Sequence, residues 1–253
     1  MRQQTQDLLE ENKNILLKTL KQELVCKRRD KCLYQSDKPD LLVQEFSSCE
    51  IGVEQVAGAK KIIDKLRNDI SSYLFEYLDG FHIPTHYAGK ISETEMLIRR
   101  TDIIPLTVKA YNSLNGPLMK RLNAKETIQT DLPIYEHYYN TDTKTNTWVN
   151  EYHVYALGIA TPEEFKQINR ISSKVNVVLR ALCDRRNLAI SELYLEFGRY
   201  KGQILLIDEV SPLNCRFLDM LNGNKTKRDK YSLEQENSET ALMELSNRLM
   251  SKI

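Results

Sequence analysis

The chain has 253 residues, 36 basic and 35 acidic, for a formal net charge of +1, and 41% of its residues are hydrophobic. That length and apolar content describe a folded protein of one large or two moderate domains with a real core, and the balanced charge excludes a global bias toward nucleic acid or an anionic membrane surface. No apolar run approaches the ~18 residues that span a bilayer, and Cys26, Cys32, Cys49, Cys183 and Cys215, odd in number and without a C-x-x-C pair, together with an N-terminus lacking an apolar signal core, predict a reducing cytoplasm.

From about Gln6 to Val25, Leu9, Leu16, Leu20 and Leu24 fall on one helical stripe after an Asp7-x-x-Glu10 start signal, which predicts an amphipathic helix. Residues 31–35 and 41–46 are strand-like runs around the turn residues Asp37-Lys38-Pro39-Asp40, a predicted hairpin. From Val56 to Tyr77, Ile63, Leu66, Ile70 and Leu74 recur at helical spacing, and the helix is expected to end near Asp79-Gly80, before an extended Ile83-Pro84. Residues 96–100 and 106–111 read as strands on either side of Pro105. Thr161-Pro162-Glu163-Glu164 joins an N-cap threonine, a proline at the first helical position and a capping-box glutamate, and opens a helix with the stripe Phe165, Ile168, Val175, Leu179 and Leu182. The tail from Tyr231 carries Leu242, Leu245 and Leu249 at helical spacing and predicts a terminal helix packed on the surface. Strands grouped at the front and in one later hairpin, with long helices between, make the fold class α+β.

Residues 193–216 carry the strongest site signal. With Tyr200-Lys201-Gly202 as a three-residue loop, Arg199 pairs with Gln203, and Glu196 and Asp208 become diagonal neighbours on one sheet face, roughly 7–8 Å apart at Cα. One divalent cation can bridge such a pair; a loop one residue longer or shorter sends the carboxylates to opposite faces. The competing expectation is two solvated charges on an exposed sheet. His82, His86, His137 and His153 lack zinc-ligand spacing and are expected to be structural or surface histidines. Nine glycines leave no obvious glycine-rich phosphate cradle. The basic cluster Lys27, Arg28, Arg29 and Lys31 has no interleaved aromatic residues and reads as a solvated loop, not a nucleic-acid surface.

An ordered set of segments resembles SAICAR synthetase, the family of purine-pathway ligases that use ATP and magnesium to join a carboxylated imidazole nucleotide to aspartate. It comprises the 34–46 hairpin with D-x-P-D, I-P-T-H at 83–86, Ile103-Ile104-Pro105-Leu106, K-R-L at 120–122, Asn150-Glu151, A-T-P-E-E at 160–164, Leu195-Glu196-Phe197-Gly198, and Asp208-Glu209 followed by Ser211-Pro212 and Arg216. The resemblance implies a two-lobe fold with ATP held in a cleft between an antiparallel N-terminal sheet and a larger α+β lobe. The divisions would be residues 1–24 as a helical extension, 25–105 as the nucleotide-loop lobe and 106–253 as the second lobe. It further implies that Glu196 and Asp208 meet Mg²⁺ and ATP phosphates, that Arg29 and Lys31 are nucleotide-binding, and that Arg216, Asn150, Glu151 and Tyr111 lie at the substrate. No residue is assigned as the catalytic group.

This chain departs from the family pattern where phosphate and substrate are held. Arg28 stands for the glycine of a glycine-lysine loop, Tyr111 for an arginine, Pro117 for a serine, and Tyr194 for a lysine two residues before Glu196. Two functions follow as expectations: an ADP-forming carboxylate–amine ligase with altered small-molecule substrates, or an inactive homologue acting as a binding or regulatory partner. The N-terminal helix would serve homo-oligomer formation, or assembly with a related subunit.

Overall fold

The computed structural model describes residues 20–28, 30–47, 57–114, 116–124, 128–140, 147–221, 230–233 and 238–251, apart from the side chains of 57–59, 116–117, 128–129 and 131. Two antiparallel sheets and their covering helices form an α+β architecture. The first sheet runs β1-β2-β3-β5-β4, from β1 (Lys21–Lys27), β2 (Lys31–Ser36), β3 (Leu41–Phe46), β4 (Tyr87–Lys90) and β5 (Glu95–Arg99). The second runs β10-β9-β6-β7-β8, from β6 (Asp102–Leu114), β7 (Ile128–Tyr139), β8 (Thr147–Val149), β9 (Leu188–Tyr200) and β10 (Gln203–Ile207), with β11 (Cys215–Asp219) also paired to β9.

The predicted helix over 6–25 is not what the described part adopts. Residues 1–19 lie outside the described residues, and from Lys21 the chain is strand β1, paired antiparallel with β2. Cross-strand contacts override the leucine spacing here: Lys21 Nζ reaches Glu45 and Glu95 at 2.8 Å each and sits 3.9 Å from the Tyr34 ring centroid. A division after residue 24 therefore cuts a strand of the first sheet.

The other long elements follow their apolar periods. Helix α1 (Ala57–Asp79) buries Ile63, Leu66, Ile70 and Leu74 and packs on the first sheet. Short helices α2 (Gly116–Arg121) and α3 (Glu151–Ala156) precede α4 (Pro162–Asp184), which lies on β6, β9 and β10. The start of α4 is as predicted: Glu164 N–H donates to Thr161 Oγ1 at 3.2 Å and Thr161 N–H donates to Glu164 Oε2 at 2.9 Å. Helix α5 (Ser238–Met250) packs on α1 with Leu242, Leu245 and Leu249 fully buried, deeper than the surface position expected. No helix among the described residues is long and apolar enough to cross a membrane.

Strand β9 organises the second sheet. One edge pairs with β6 along most of its length; the other is shared, β10 taking Glu196 to Tyr200 and β11 taking Leu188 to Leu193. Between those partners the chain leaves the ladder as the loop 208–214. That loop reaches the first sheet and α1.

Candidate active site

The hairpin register differs by one residue from the predicted one. Gln203 pairs with Tyr200 and Ile207 with Glu196, so the loop is the two residues Lys201 and Gly202, with φ of 47° and 79°. Both positive values make the turn that suits the right-handed twist of a hairpin. In a straight strand this register would turn Asp208 to the other face from Glu196. Asp208 instead takes φ 73°, a left-handed conformation that re-aims the chain as it leaves β10. The Asp208 charge still acts on Glu196, so the two carboxylates lie near one another at this kink and not through ladder register.

They are not solvated surface charges, since the side chains of Glu196 and Asp208 are 26% and 18% exposed. Burial and then the charge of Asp208 push the Glu196 carboxyl up to about 7, against the opposing pull of Arg28 and Lys31. Arg28 Nη1 stands 3.9 Å from Glu196 Oε2. Lys31 extends from the start of β2 into the loop 208–214, pairing with Asp208 and lying 3.1 Å from Glu209 and 3.0 Å from Asp30. Burial alone would lower the Lys31 pKa, but Asp208, Glu209 and Asp30 outweigh it and hold the ammonium charged.

Beneath this lies an ion pair closed to solvent. Arg67 of α1 meets Glu209 through Nη2 at 2.6 Å and Nε at 3.2 Å, and neither side chain is exposed. Ser211 Oγ donates to Glu209 at 2.5 Å, and Ser71 Oγ accepts from Val210 N–H at 3.1 Å. Burial raises the Glu209 pKa, but Arg67 and Lys31 win and hold it well below the usual carboxylate range. His86 is buried with Nε2 2.9 Å from the Asp208 carbonyl oxygen. These contacts fix the loop that presents Asp208.

The solvent-side face of the second sheet continues the site. Strand pairing sets Glu136, Lys109 and Tyr194 in one row, Tyr138, Thr107 and Glu196 in the next, and Tyr111, Glu192 and Arg216 in a third. Arg216 Nη1 donates to Glu192 Oε1 at 3.0 Å, and Tyr194 OH donates to Glu192 Oε2 at 2.6 Å. The structure thus gathers Lys31, Glu196 and Asp208 at one end and Tyr111 and Arg216 on the adjoining face. Among the described residues no hydrogen bond or ion pair joins Asn150 or Glu151 to Lys31, Glu196 or Asp208. Asn150 instead caps α3, its Oδ1 accepting from His153 N–H at 3.2 Å, and Glu151 is exposed in the first turn. Arg29 lies outside the described residues, as does the Pro117 side chain. Of the histidines, His137 is structural as expected, with Nε2 2.7 Å from Asn169 Oδ1 and its ring on Phe165.

Among the described residues no three His, Cys, Asp or Glu side chains form a metal cage. Two carboxylates suit magnesium nonetheless, because that ion keeps several waters and takes its remaining oxygens from phosphates. A separate cleft of about 490 Å³, lined by His82, Pro84, Arg170, Lys174 and Gly202 among others, contains none of these carboxylates.

Residues 26–248 match the family model described as SAICAR synthetase. The chain belongs to the SAICAR synthetase family. It is 35% identical over 216 residues to the phosphoribosylaminoimidazole-succinocarboxamide synthase of Persephonella marina, covering 85% of this chain and 90% of that protein. With the synthase of Clostridium novyi it shares 38% identity over 196 residues, 76% of this chain and 83% of that one. A SAICAR synthetase solved in complex with ADP superposes with a TM-score of 0.79 at 30% identity, covering 91% of this chain and 98% of that one. The synthase structure from Ehrlichia chaffeensis gives 0.80 at 27% identity, covering 91% and 100%. Membership carries the α+β SAICAR synthetase fold and ATP-dependent ligase chemistry as the family's activity.

Arg67 and Glu209 are the site residues the sequence reading passed over. Arg67 left a readable signal, since it lies four residues after Ile63 and three before Ile70, a charge on the buried stripe of α1.

Proposed function

We propose that the protein is an ATP-dependent, ADP-forming carboxylate–amine ligase, with the SAICAR synthetase substrates as the first pair to test. A substrate carboxylate oxygen attacks the γ-phosphoryl group, ADP departs, and an amine displaces phosphate from the acyl phosphate to leave an amide. The single observation that carries this reading is the fixed Lys31–Asp208–Glu209–Arg67 cluster beside Glu196. It fixes Asp208 and one buried ammonium, Lys31, next to Glu196. Mg²⁺ held by Glu196 and Asp208 would neutralise charge developing on the phosphates. Lys31 would orient the same phosphates, and the loop 208–214, tied to α1, would keep the carboxylates from drifting. No side-chain nucleophile is required.

Arg28, close to Glu196, favours a second reading, in which the nucleotide is bound without turnover and the substrate face serves a different ligand. Calorimetry with ATP and Mg²⁺, together with an assay for ADP release and amide product, separates the two. Turnover in the wild type that is lost in Glu196→Gln and Asp208→Asn supports the ligase. Binding without product, for the family's substrates and for related imidazole carboxylates, supports the second reading. Identical heats in wild type and both variants would remove the site altogether.

A further inference from the structure

Lys109 forms no ion pair among the described residues. It projects from β6 onto the substrate face, half-buried, with Nζ 4.1 Å from the Tyr138 ring centroid and 4.9 Å from that of Tyr194. Among the described residues no carboxylate comes within ion-pairing distance of it, although Glu192 and Glu136 are near enough to favour its charge. The neighbouring cations are already engaged, Arg121 by Glu136 and Arg216 by Glu192. Burial lowers the Lys109 pKa. A half-desolvated ammonium between two ring faces gains most from an anion that completes its coordination.

We propose that Lys109 binds a carboxylate of the substrate. Among the described residues the group of Lys109, Arg121 and Arg216 facing Glu136 and Glu192 has one more positive charge than negative, which matches a carboxylate better than a phosphate dianion. Position agrees with charge: Lys109 pairs with Tyr194, two residues from Glu196, so Lys109 and Glu196 are diagonal neighbours about 7–8 Å apart. A carboxylate on Lys109 therefore lies beside the phosphate end of the site. Tyr194 is also where the resemblance implies a lysine, and Lys109 stands one strand to the side of it. The inference rests on the ligase reading for its substrate, but the residue and its ligand class stand on the geometry.

The test uses the full chain in two arms. In steady-state kinetics, Lys109→Met raises the KM of one carboxylate substrate about ten- to a hundredfold, as for loss of a charged hydrogen bond, and leaves the KM for ATP unchanged. The substrate that moves, the amino diacid or the imidazole acid, identifies the bound carboxylate. The double variant Lys109→Val/Tyr194→Lys recovers at least part of the loss. In the second arm, ¹³C-dimethylated lysines are observed by NMR with L-aspartate, succinate or inorganic phosphate as probes, and the Lys109 signal is the one missing from Lys109→Met. A carboxylate-induced shift supports the assignment even where no turnover is seen. A response to phosphate alone, no response to any probe, or unchanged kinetics in Lys109→Met would overturn it.

Discussion

Arg67 and Glu209 show how a single residue pair can serve the site without touching a ligand. Both are removed from water, and each is the other's closest charged partner. Arg67 also stacks 5.1 Å from the Phe46 ring centroid and donates to the Asp30 carbonyl oxygen at 3.2 Å. Replacing it with methionine keeps much of the volume and leaves the Glu209 charge stranded from its closest partner, with only Lys31 and Ser211 beside it. Arg67→Met is expected to lower the free energy of unfolding by about 3–5 kcal/mol in urea denaturation. Arg67→Met/Glu209→Gln should regain part of that loss, since the stranded charge is gone. A single-variant cost below about 1 kcal/mol would mean that water reaches the pair.

At the scale of elements, β9 meets its neighbours closely enough to dictate a glycine. A Cβ on Gly198 would lie 2.7 Å from both Cβ and Oγ1 of Thr101 and 3.3 Å from the Asp102 carbonyl oxygen. Gly198→Ala must push β6 away from β9, at an expected cost of about 1–3 kcal/mol by thermal or urea unfolding; Gly198→Ala/Thr101→Gly should relieve most of it. The sequence made several elements legible for local reasons. Thr161-Pro162-x-Glu164 could only be a helix start, and the D-x-P-D turn fixed the β2–β3 hairpin. It misplaced β1 because leucines four apart at 20 and 24 satisfy a helical and a strand period alike. It miscounted the β9–β10 turn because Lys201, a residue with a Cβ, takes a left-handed conformation next to Gly202. Asp208 does the same, a second departure from ordinary backbone preference, and its charge still acts on Glu196 despite the different register. Lys109 was invisible for another reason: only strand pairing puts it beside Tyr194, 85 positions later in the chain.

The whole molecule is joined across its two sheets. One hydrophobic cluster contains Phe46, Met96 and Ile98 from the first sheet along with Val108, Leu195 and Phe217 from the second. The backbone also crosses, with Leu206 N–H donating to the Pro84 carbonyl at 2.9 Å and His86 N–H to the Leu206 carbonyl at 2.9 Å. A shared core predicts a single cooperative transition, so urea curves followed by Trp148 fluorescence, at the β8 edge, and by far-ultraviolet circular dichroism should coincide. Separated midpoints would show that the lobes melt independently. The alternation along β6 and β9 has a further, evolutionary consequence. Val108, Ala110, Leu193 and Leu195 face the core while Lys109, Tyr111, Glu192, Tyr194 and Glu196 occupy the opposite face. On the proposed reading, heritable change on that outer face would alter which small molecule is recognised while the core-facing residues stay as they are. A binding charge would then be relocated by one strand in two substitutions.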